Sequence, residues 1–488
     1  MVNLSPRIVV VCLGVCLGVD ELGCVAEGAN SSSGDGGRAT DVDSSTTGLP
    51  GTDRDDSARV DTEACSIEVE AAEYSEIIGT VGIVTWSTML ADVVDAYIDF
   101  GLDANYGLRA PVDIATQPSF RTLLLGMKEN AGPYHFRITV RSSHRSCVSE
   151  DVVFDRKTAP RPIDLQAPSV TTLDPNAVSG GYLITVEYMD NTPDDDYAFI
   201  VDGDGDVVWW YKPEGFRALT TARMSYDGNH MWIVHSNVPS VEGRVGRVKM
   251  DGTEWEDMRD EFPKQHHDLT VLPDETVAYL SYAWNECDDI IERAPDGTTK
   301  TLMNSGDAFG NPIVCHGNAI QYSPWDDTLV VSDTNENGYF KIDRQGSIQW
   351  VLGAGEHNSF DQSAKGASDW ISNHNFHLLG GDSILFFNNG NVGSVIDDVP
   401  AIARELTLDF NTMTTSEVWR YEANPPVSSR ILGDVQRLAN GNTVIAYSAD
   451  AVVQEVSPDG VLLQELIFSQ YMIGYITKRE SLYGPPPR

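Results

Sequence analysis

After residue 65 the chain is written almost entirely in short apolar runs with a period of two, punctuated by Gly, Asp, Asn and Pro. Such alternation predicts strands with one buried face, joined by tight turns. Residues 65–160 hold six of these runs, "SIEVEAA", "GIVTWST", "DAYIDFG", "RTLLLGM", "YHFRITVRS" and "EDVVFD", about the count of a small β-sandwich. Pro160 and Pro162 mark a linker. Beyond it the pattern repeats. An aliphatic strand and a turn, often Asp-Gly or Asn-Gly, lead to a second apolar strand, then a third with another such turn, and often an outer strand bearing Trp. "YAFIVDGDGDVVWWYKP", "ARMSYDGNHMWIVHS", "HDLTVLPDETVAYLS", "HGNAIQYSPWDDTLVVSD", "NHNFHLLGGDSILFFNNG" and "DVQRLANGNTVIAYS" are the opening stretches of the six units. Units of roughly 50 residues, each a four-stranded sheet, predict a β-propeller of six blades over 161–488. The expected fold class is all-β, a six-bladed β-propeller preceded by a small β-sandwich, with "VLLQELIF" closing the ring against "YAFIV".

Aligning the units on the inner strand singles out one position. His267 stands four residues before Val271, His316 four before Ile320 and His374 four before Leu378. Thr220 and Asp434 hold the same place in the flanking units. The innermost strand of every blade runs along the central channel, so residues at its start converge on one end of it. A lone histidine before a strand is an ordinary turn or capping residue. Three at one repeat position in consecutive blades point to a shared site. His266 is expected to face away, because neighbours on an extended strand alternate. His377 has the opposite parity from His374 and reads as structural; His230, His235 and His357 occupy no repeated place. Three converging imidazoles suit two chemistries. One is a catalytic zinc site, with three ligands and an open fourth position. The other is metal-free transfer, in which one imidazole attacks an electrophile while the others donate to developing charge and move the proton. Spacing does not choose between them.

Composition narrows the partners. A net charge of −40 opposes binding to nucleic acid and to anionic membrane surfaces. Residues 1–24 read as an export signal: Arg7, then the apolar "IVVVCLGVCLGV", too short for an ordinary transmembrane helix, then "ELGC", in which Cys24 is the candidate lipidation site. Simple secretion by cleavage nearby is the alternative. Residues 25–64, rich in Ser, Gly, Thr and Asp, read as a disordered acidic tether. The expected location is extracytoplasmic, as a periplasmic or cell-surface lipoprotein or else a secreted protein. Of the seven cysteines, Cys12 and Cys16 lie in the signal and Cys24 at its end, leaving Cys65, Cys147, Cys287 and Cys315. An even number in an oxidising compartment suggests two disulfides. One pair per domain gives Cys65–Cys147 and Cys287–Cys315.

Two resemblances follow from these stretches. "GTVGIVTWST", "AYIDFG" and "PYHFRITVRS" resemble the buried-Trp strand, the strand after it and the Tyr-bearing strand of fibronectin type III domains, which implies a spacing or positioning module. The segment from "HHDLTVLPDETVAYL" through "CHGNAIQYSPWDDTLVVSDTNENGYFKIDRQGSIQWVLG" to "NHNFHLLGGDSILFFNNG" resembles the bacterial aryl-sulfate sulfotransferases. These are six-bladed propellers that do not use the nucleotide sulfate donor. The resemblance implies His374 as the nucleophile that attacks an aryl sulfate, forms a sulfohistidine and passes the sulfuryl group to a phenol. His267 and His316 would bind the sulfuryl oxygens and handle the phenol proton, and Asn318 would help orient the group. The implied partners are a small aryl sulfate donor and a phenolic acceptor, with no cofactor. One position departs from the family: where its arginine pairs with sulfate, eighteen residues after the second histidine, this chain has Thr334 in "SDT". A hydroxyl does not replace a bidentate cation. Arg437, or Arg223 in the first units, could reach the channel from another blade. Asn373 also replaces the usual Gln before the nucleophile.

Two other functions stay open on the residues alone. One is a zinc-dependent lyase or hydrolase liganded by His267, His316 and His374. The other is a catalytically inactive propeller that acts as a surface binding protein. "DGDGD" (Asp202, Asp204, Asp206) has the look of a calcium loop but lacks the twelve-residue pattern and its terminal Glu, so a hairpin turn is the expectation. Trp209, Trp350 and Trp419 recur on outer strands and are expected in the packing between blades.

Overall fold

A computed structural model of the chain describes residues 66–188, 196–216, 218–235, 243–283, 287–310, 315–334, 337–353, 357–362, 370, 372–380, 382–390, 399–468 and 472–485. The expected signal, the tether, Cys24 and Cys65 lie outside the described residues.

Two antiparallel sheets come first. Ile67–Tyr74, Gly82–Thr88 and Ser119–Leu124 form one. The other orders Leu108–Pro111, Val93–Gly101, His135–Ser142 and Ser146–Val148. Their inward residues meet in one core that includes Trp86, Ile98, Phe100, Phe136 and Ile138. Trp86 stacks on Phe120 with ring centroids 4.3 Å apart. Its Nε1 donates to Thr122 Oγ1 at 3.1 Å, so the largest core side chain keeps its one polar atom satisfied. The Tyr134 hydroxyl accepts the Lys128 N–H at 2.8 Å and ties the strand start to the loop before it. Cys147 is disulfide-bonded.

Six further sheets follow, and each is one blade of a six-bladed β-propeller. The inner strands of blades 2 to 6 are Leu219–Met224, Gln265–Val271, Gly317–Ser323, Asn373–Leu378 and Asp434–Arg437. Blades 2 to 5 are simple four-stranded meanders. Closure differs from the expectation. "VLLQELIF" contains the strand Leu462–Ile467 of blade 6, which is covered on its outer edge by Ser169–Thr172. "YAFIV" lies in the middle strand Ala198–Asp202 of blade 1 and forms no ladder with it, although Phe199 packs on Phe468 with ring centroids 5.8 Å apart. The ring is instead closed on the inside. Met472–Ile473 and Thr477–Arg479 pair with Tyr182–Tyr188 and supply the innermost edge of blade 1. Repeat counting missed this because both closing segments are too short to carry a periodic signal.

Outer-strand tryptophans bridge blades. Trp209 Nε1 donates to Met250 O and Trp419 Nε1 to Pro458 O, each at 2.9 Å. Trp350 is buried in a cluster with Phe376 and Phe386 of the next blade.

The sandwich is docked onto the propeller through a shared core. Ile78, Val81 and Leu125 belong to the same apolar cluster as Trp209, Met231 and Met250. Ser75 Oγ donates to Asp251 O (2.6 Å) and Thr80 Oγ1 to Val208 O (2.8 Å). Arg121 pairs with Asp251 at 2.6 Å. The "DGDGD" stretch is the expected hairpin turn: Asp202 Oδ1 accepts the N–H groups of Asp204 and Asp206, both at 3.0 Å. Its three carboxylates do converge, but the cation among them is Lys128 of the sandwich, with Nζ 3.2, 2.7 and 2.7 Å from Asp202, Asp204 and Asp206.

Tyr483 closes this seam. Its hydroxyl accepts the Leu125 N–H at 2.7 Å and donates to Leu123 O at 3.1 Å. Tyr483→Phe leaves both backbone groups without that partner and should cost about 1–3 kcal/mol. Thermal denaturation should show a lowered midpoint in the variant. In the wild type, sandwich and propeller should melt in one transition. Two separate transitions in the wild type would refute the shared core.

Candidate functional site

The starts of the inner strands are not regular. In blade 2 the pairing jumps between Leu219 and Thr221, and in blade 3 between His266 and Leu269. In blade 4 it jumps between Gly317 and Ala319, and in blade 5 between Asn373 and Phe376. Each jump is a β-bulge, which bends the strand and re-aims side chains. The bulged residues are Thr220 in blade 2, His267 with Asp268 in blade 3, Asn318 in blade 4 and His374 with Asn375 in blade 5. His267 and His374 therefore both open a bulge, of two extra residues in blade 3 and one in blade 5. His316 does not: it lies just before its strand, and Asn318 fills that place in blade 4.

The bulge also corrects the expectation for His266. Alternation would turn it away from His267. Instead His267 has a left-handed backbone, φ +56°, uncommon for a residue with a side chain. The two Nδ1 atoms end 2.8 Å apart, and one donates to the other. His266 stacks on Tyr282 at 3.9 Å between ring centroids, and its Nε2 lies 3.0 Å from Asp288 Oδ1. The His267 ring meets the His316 ring edge-on at 4.8 Å.

Neighbouring blades hold the bulged main chain. Thr220 Oγ1 donates to His267 O at 2.6 Å, and Ser332 Oγ donates to His374 O at 2.7 Å. His316 is clamped from both sides in sequence. Its N–H donates to Asp333 Oδ2 (3.2 Å) and its carbonyl accepts the Thr334 N–H (3.0 Å). Cys315 beside it is joined to Cys287, with Cα atoms 4.6 Å apart. Asp288, beside Cys287, accepts the Gly317 N–H at 2.6 Å. A side chain at Gly317 would bring its Cβ to 2.7 Å from that carboxylate, so any larger residue there would displace Asp288.

His374 has a partner that the sequence reading did not name. Its Nδ1 lies 2.7 Å from Asn389 Oδ1. The Asn389 amide nitrogen donates to two carbonyls, Ser429 O (2.7 Å) and Leu432 O (2.8 Å). These fix which way the amide points, so its oxygen faces the imidazole and His374 Nδ1 must carry the proton. Nε2 then holds a free lone pair. The available signal was the end of the quoted hairpin, "FNNG", which returns opposite the start of the His374 strand.

All three histidines are held neutral. Burial pushes His374 down to about 4; the Asn389 oxygen opposes this and the charge of His316 adds to it. Burial pushes His267 well below the ordinary imidazole range, helped by His316, His266 and His374. His316 is lowered by burial and by His266, with Asp288 opposing. Neither arginine named from sequence serves this cluster. Arg223 donates to Ile476 O and Thr477 Oγ1 and faces Asp268 at 3.4 Å. Arg437 pairs with Glu405 at 2.6 Å and lies over the Trp419 ring. The Thr334 hydroxyl donates to Asn373 O at 2.7 Å and accepts from the Asn318 amide.

The geometry bears on zinc as well. Ligands of one zinc ion lie about 2 Å from it, and so within about 4 Å of each other. Among the described residues, the only three metal-capable groups whose ligand atoms all lie within 4.8 Å of one another are Asp202, Asp204 and Asp206. The three histidines do not form such a set.

Part of this constellation coincides with a known family. Residues 315–473 match the arylsulfotransferase (ASST) family model. The match spans about a third of the chain and takes in His316, Asn318, Thr334, His374 and Asn389; His267 lies outside it. No curated protein matches the chain. Among solved structures it is similar to a Bacteroides caccae protein of unknown function (14% identity, 61% of this chain and 98% of that one, TM-score 0.41). It is also similar to TolB from Acinetobacter baumannii (13%, 72% and 80%, TM-score 0.39). A third is a Bacteroides thetaiotaomicron protein of unknown function (12%, 85% and 99%, TM-score 0.36). No functional property follows from likeness at this level.

The neutral histidines set the acid limb of stability. In the unfolded chain they titrate near 6.5; in the fold they resist protonation. As pH falls below about 6.5 the unfolded state binds protons first, so stability is full above that value and declines towards about 4. Denaturant melts across this range should show the decline, with a shallower slope in His374→Gln. A flat profile would mean that the imidazoles are solvated.

Proposed function

We propose that the chain is an aryl-sulfate sulfotransferase that works without a metal. His374 Nε2 attacks the sulfur of a phenolic sulfate ester. The bond from sulfur to the aryl oxygen breaks, its electron pair leaves with the phenolate, and a sulfohistidine remains. A second phenol then gives up its proton and takes the sulfuryl group from nitrogen. His267 and His316 handle the phenolic proton and donate to the sulfuryl oxygens. The observation that carries the reading is the His374–Asn389 pair, which leaves Nε2 unprotonated and fixed in direction. The family match across His316 and His374 supports the reaction class. The spread of the three imidazoles supports the metal-free version over the zinc-dependent one. Export of the chain, with Cys24 as the lipid site, belongs to the same proposal; the Cys287–Cys315 disulfide supports an oxidising compartment.

Thr334 leaves the sulfuryl group to be met by imidazole N–H groups and amides. A bound anion stabilises protonated imidazole. Aryl sulfate binding should therefore take up protons near neutral pH, seen as a dependence of the calorimetric heat on buffer ionisation. The net charge of −40 repels the donor, so kcat/KM should rise with ionic strength. The opposite trend would place a cation at the site.

The direct test is release of 4-nitrophenol from its sulfate ester, with and without added phenol, after chelation. Phenol-dependent release should survive the chelator and fall at least about a thousandfold in His374→Asn. In Asn389→Leu it should fall about a hundredfold through misdirection of the ring. Release that disappears with the chelator and returns with zinc would favour the metal reading. A folded protein with no release would favour the binding-protein reading.

A further inference from the structure

The channel has a second end, sealed from the histidines. Across its middle, Arg223 faces Asp268, Asn375 Nδ2 donates to Asp434 Oδ2 (3.0 Å), and the Ile476 N–H donates to the same oxygen (2.9 Å). The Tyr475 hydroxyl donates to Asn318 O at 2.9 Å. Beyond this belt the inner strands run on past the bulges and open into a cavity of about 180 Å³. A cavity of about 150 Å³ takes benzene, so this one accepts a single ring with one small substituent.

Its lining is chemically uneven. At the mouth stand three aromatic residues, Tyr226, Tyr322 and Trp325; Trp325 is 48% exposed, out of keeping with an indole of structural purpose. Towards the floor stand Arg223 and Arg479. Arg479 is buried, and its guanidinium donates only to the carbonyls of Ser481, Gly484 and Pro485, so among the described residues no carboxylate offsets its charge. Asp434, on the same floor, is pushed up to about 7 by burial, which leaves it half neutral near that pH. His377 lines the wall. Its Nδ1 accepts the Arg437 N–H at 3.0 Å, and burial holds the ring neutral, so the proton sits on Nε2. That N–H has no partner among the described residues, and the residue lines the cavity. The sequence reading of His377 as structural covers only its other nitrogen.

We propose that this second mouth is a binding site, separate from the histidine cluster, for a small planar aromatic anion. The ring lies against Trp325 and the tyrosines, and the anionic oxygens take the His377 N–H and the field of the two arginines. In a chain otherwise strongly acidic, this is a place where local charge favours an anion.

Benzoate is the probe, with benzyl alcohol as its neutral counterpart, titrated into the full chain by calorimetry. Benzoate should bind with a Kd at or below about 1 mM, and benzyl alcohol about tenfold or more weaker. Trp325→Ala, at an exposed position that leaves the core intact, should weaken benzoate about tenfold. His377→Phe should do the same, and His374→Asn should change nothing. Absence of saturable binding would overturn the site. Equal affinity for the alcohol would overturn its charge preference. Loss of binding in His374→Asn with none in Trp325→Ala would move the ligand to the histidine end.

Discussion

One or two extra residues in the innermost strand of a blade are the constraint on which this site depends. A regular strand sends neighbours to opposite faces and would give each blade a single side chain at the channel entrance. The bulge breaks that rule. It sets the rings of His266 and His267 in contact and turns His374 towards a partner on its own hairpin. It also strips main-chain carbonyls from the ladder, and an unpaired buried carbonyl is costly. The hydroxyls of Thr220 and Ser332 offset that cost from the preceding blade. The histidines are therefore held by the order of the blades as well as by their own sheets, and a substitution in one blade acts on a ring carried by the next.

The electrostatics of the cluster follow from the same crowding. Four imidazoles share a buried space in which Asp288 is the near carboxylate. Burial, with the charge of neighbouring imidazoles, holds His267, His316 and His374 neutral. A neutral imidazole with a directed lone pair is a competent nucleophile, yet a weak anchor for an anion. On the proposed reading, the attacking atom is ready in advance, while the charge complementarity that an arginine would supply develops only when the anion arrives.

The architecture was readable because a propeller repeats. Six copies of one strand pattern reinforce each other, and Asp-Gly and Asn-Gly turns mark where the chain reverses. His267 and His374 were readable for the same reason. The rest depended on breaks in the pattern. His316 appeared equivalent to the other two because spacing was counted to an aliphatic residue, whereas the register shows Asn318 in the bulge. His266 was misassigned because alternation was assumed through a stretch that does not alternate. Asn389 was missed because an Asn before Gly is the ordinary signature of a turn, and its second role appears only when the hairpin folds back on His374. The closing strands at the C-terminal end are too short for any period to reveal.

The way the ring is stitched sets an order of events. Blade 6 completes its outer edge with a strand made before any blade, Ser169–Thr172. Blade 1 waits for its inner edge until Thr477–Arg479 has left the ribosome. Through synthesis, the first blade exposes an unpaired inner strand, a template for pairing with the wrong chain. Aggregation is the hazard of the interval.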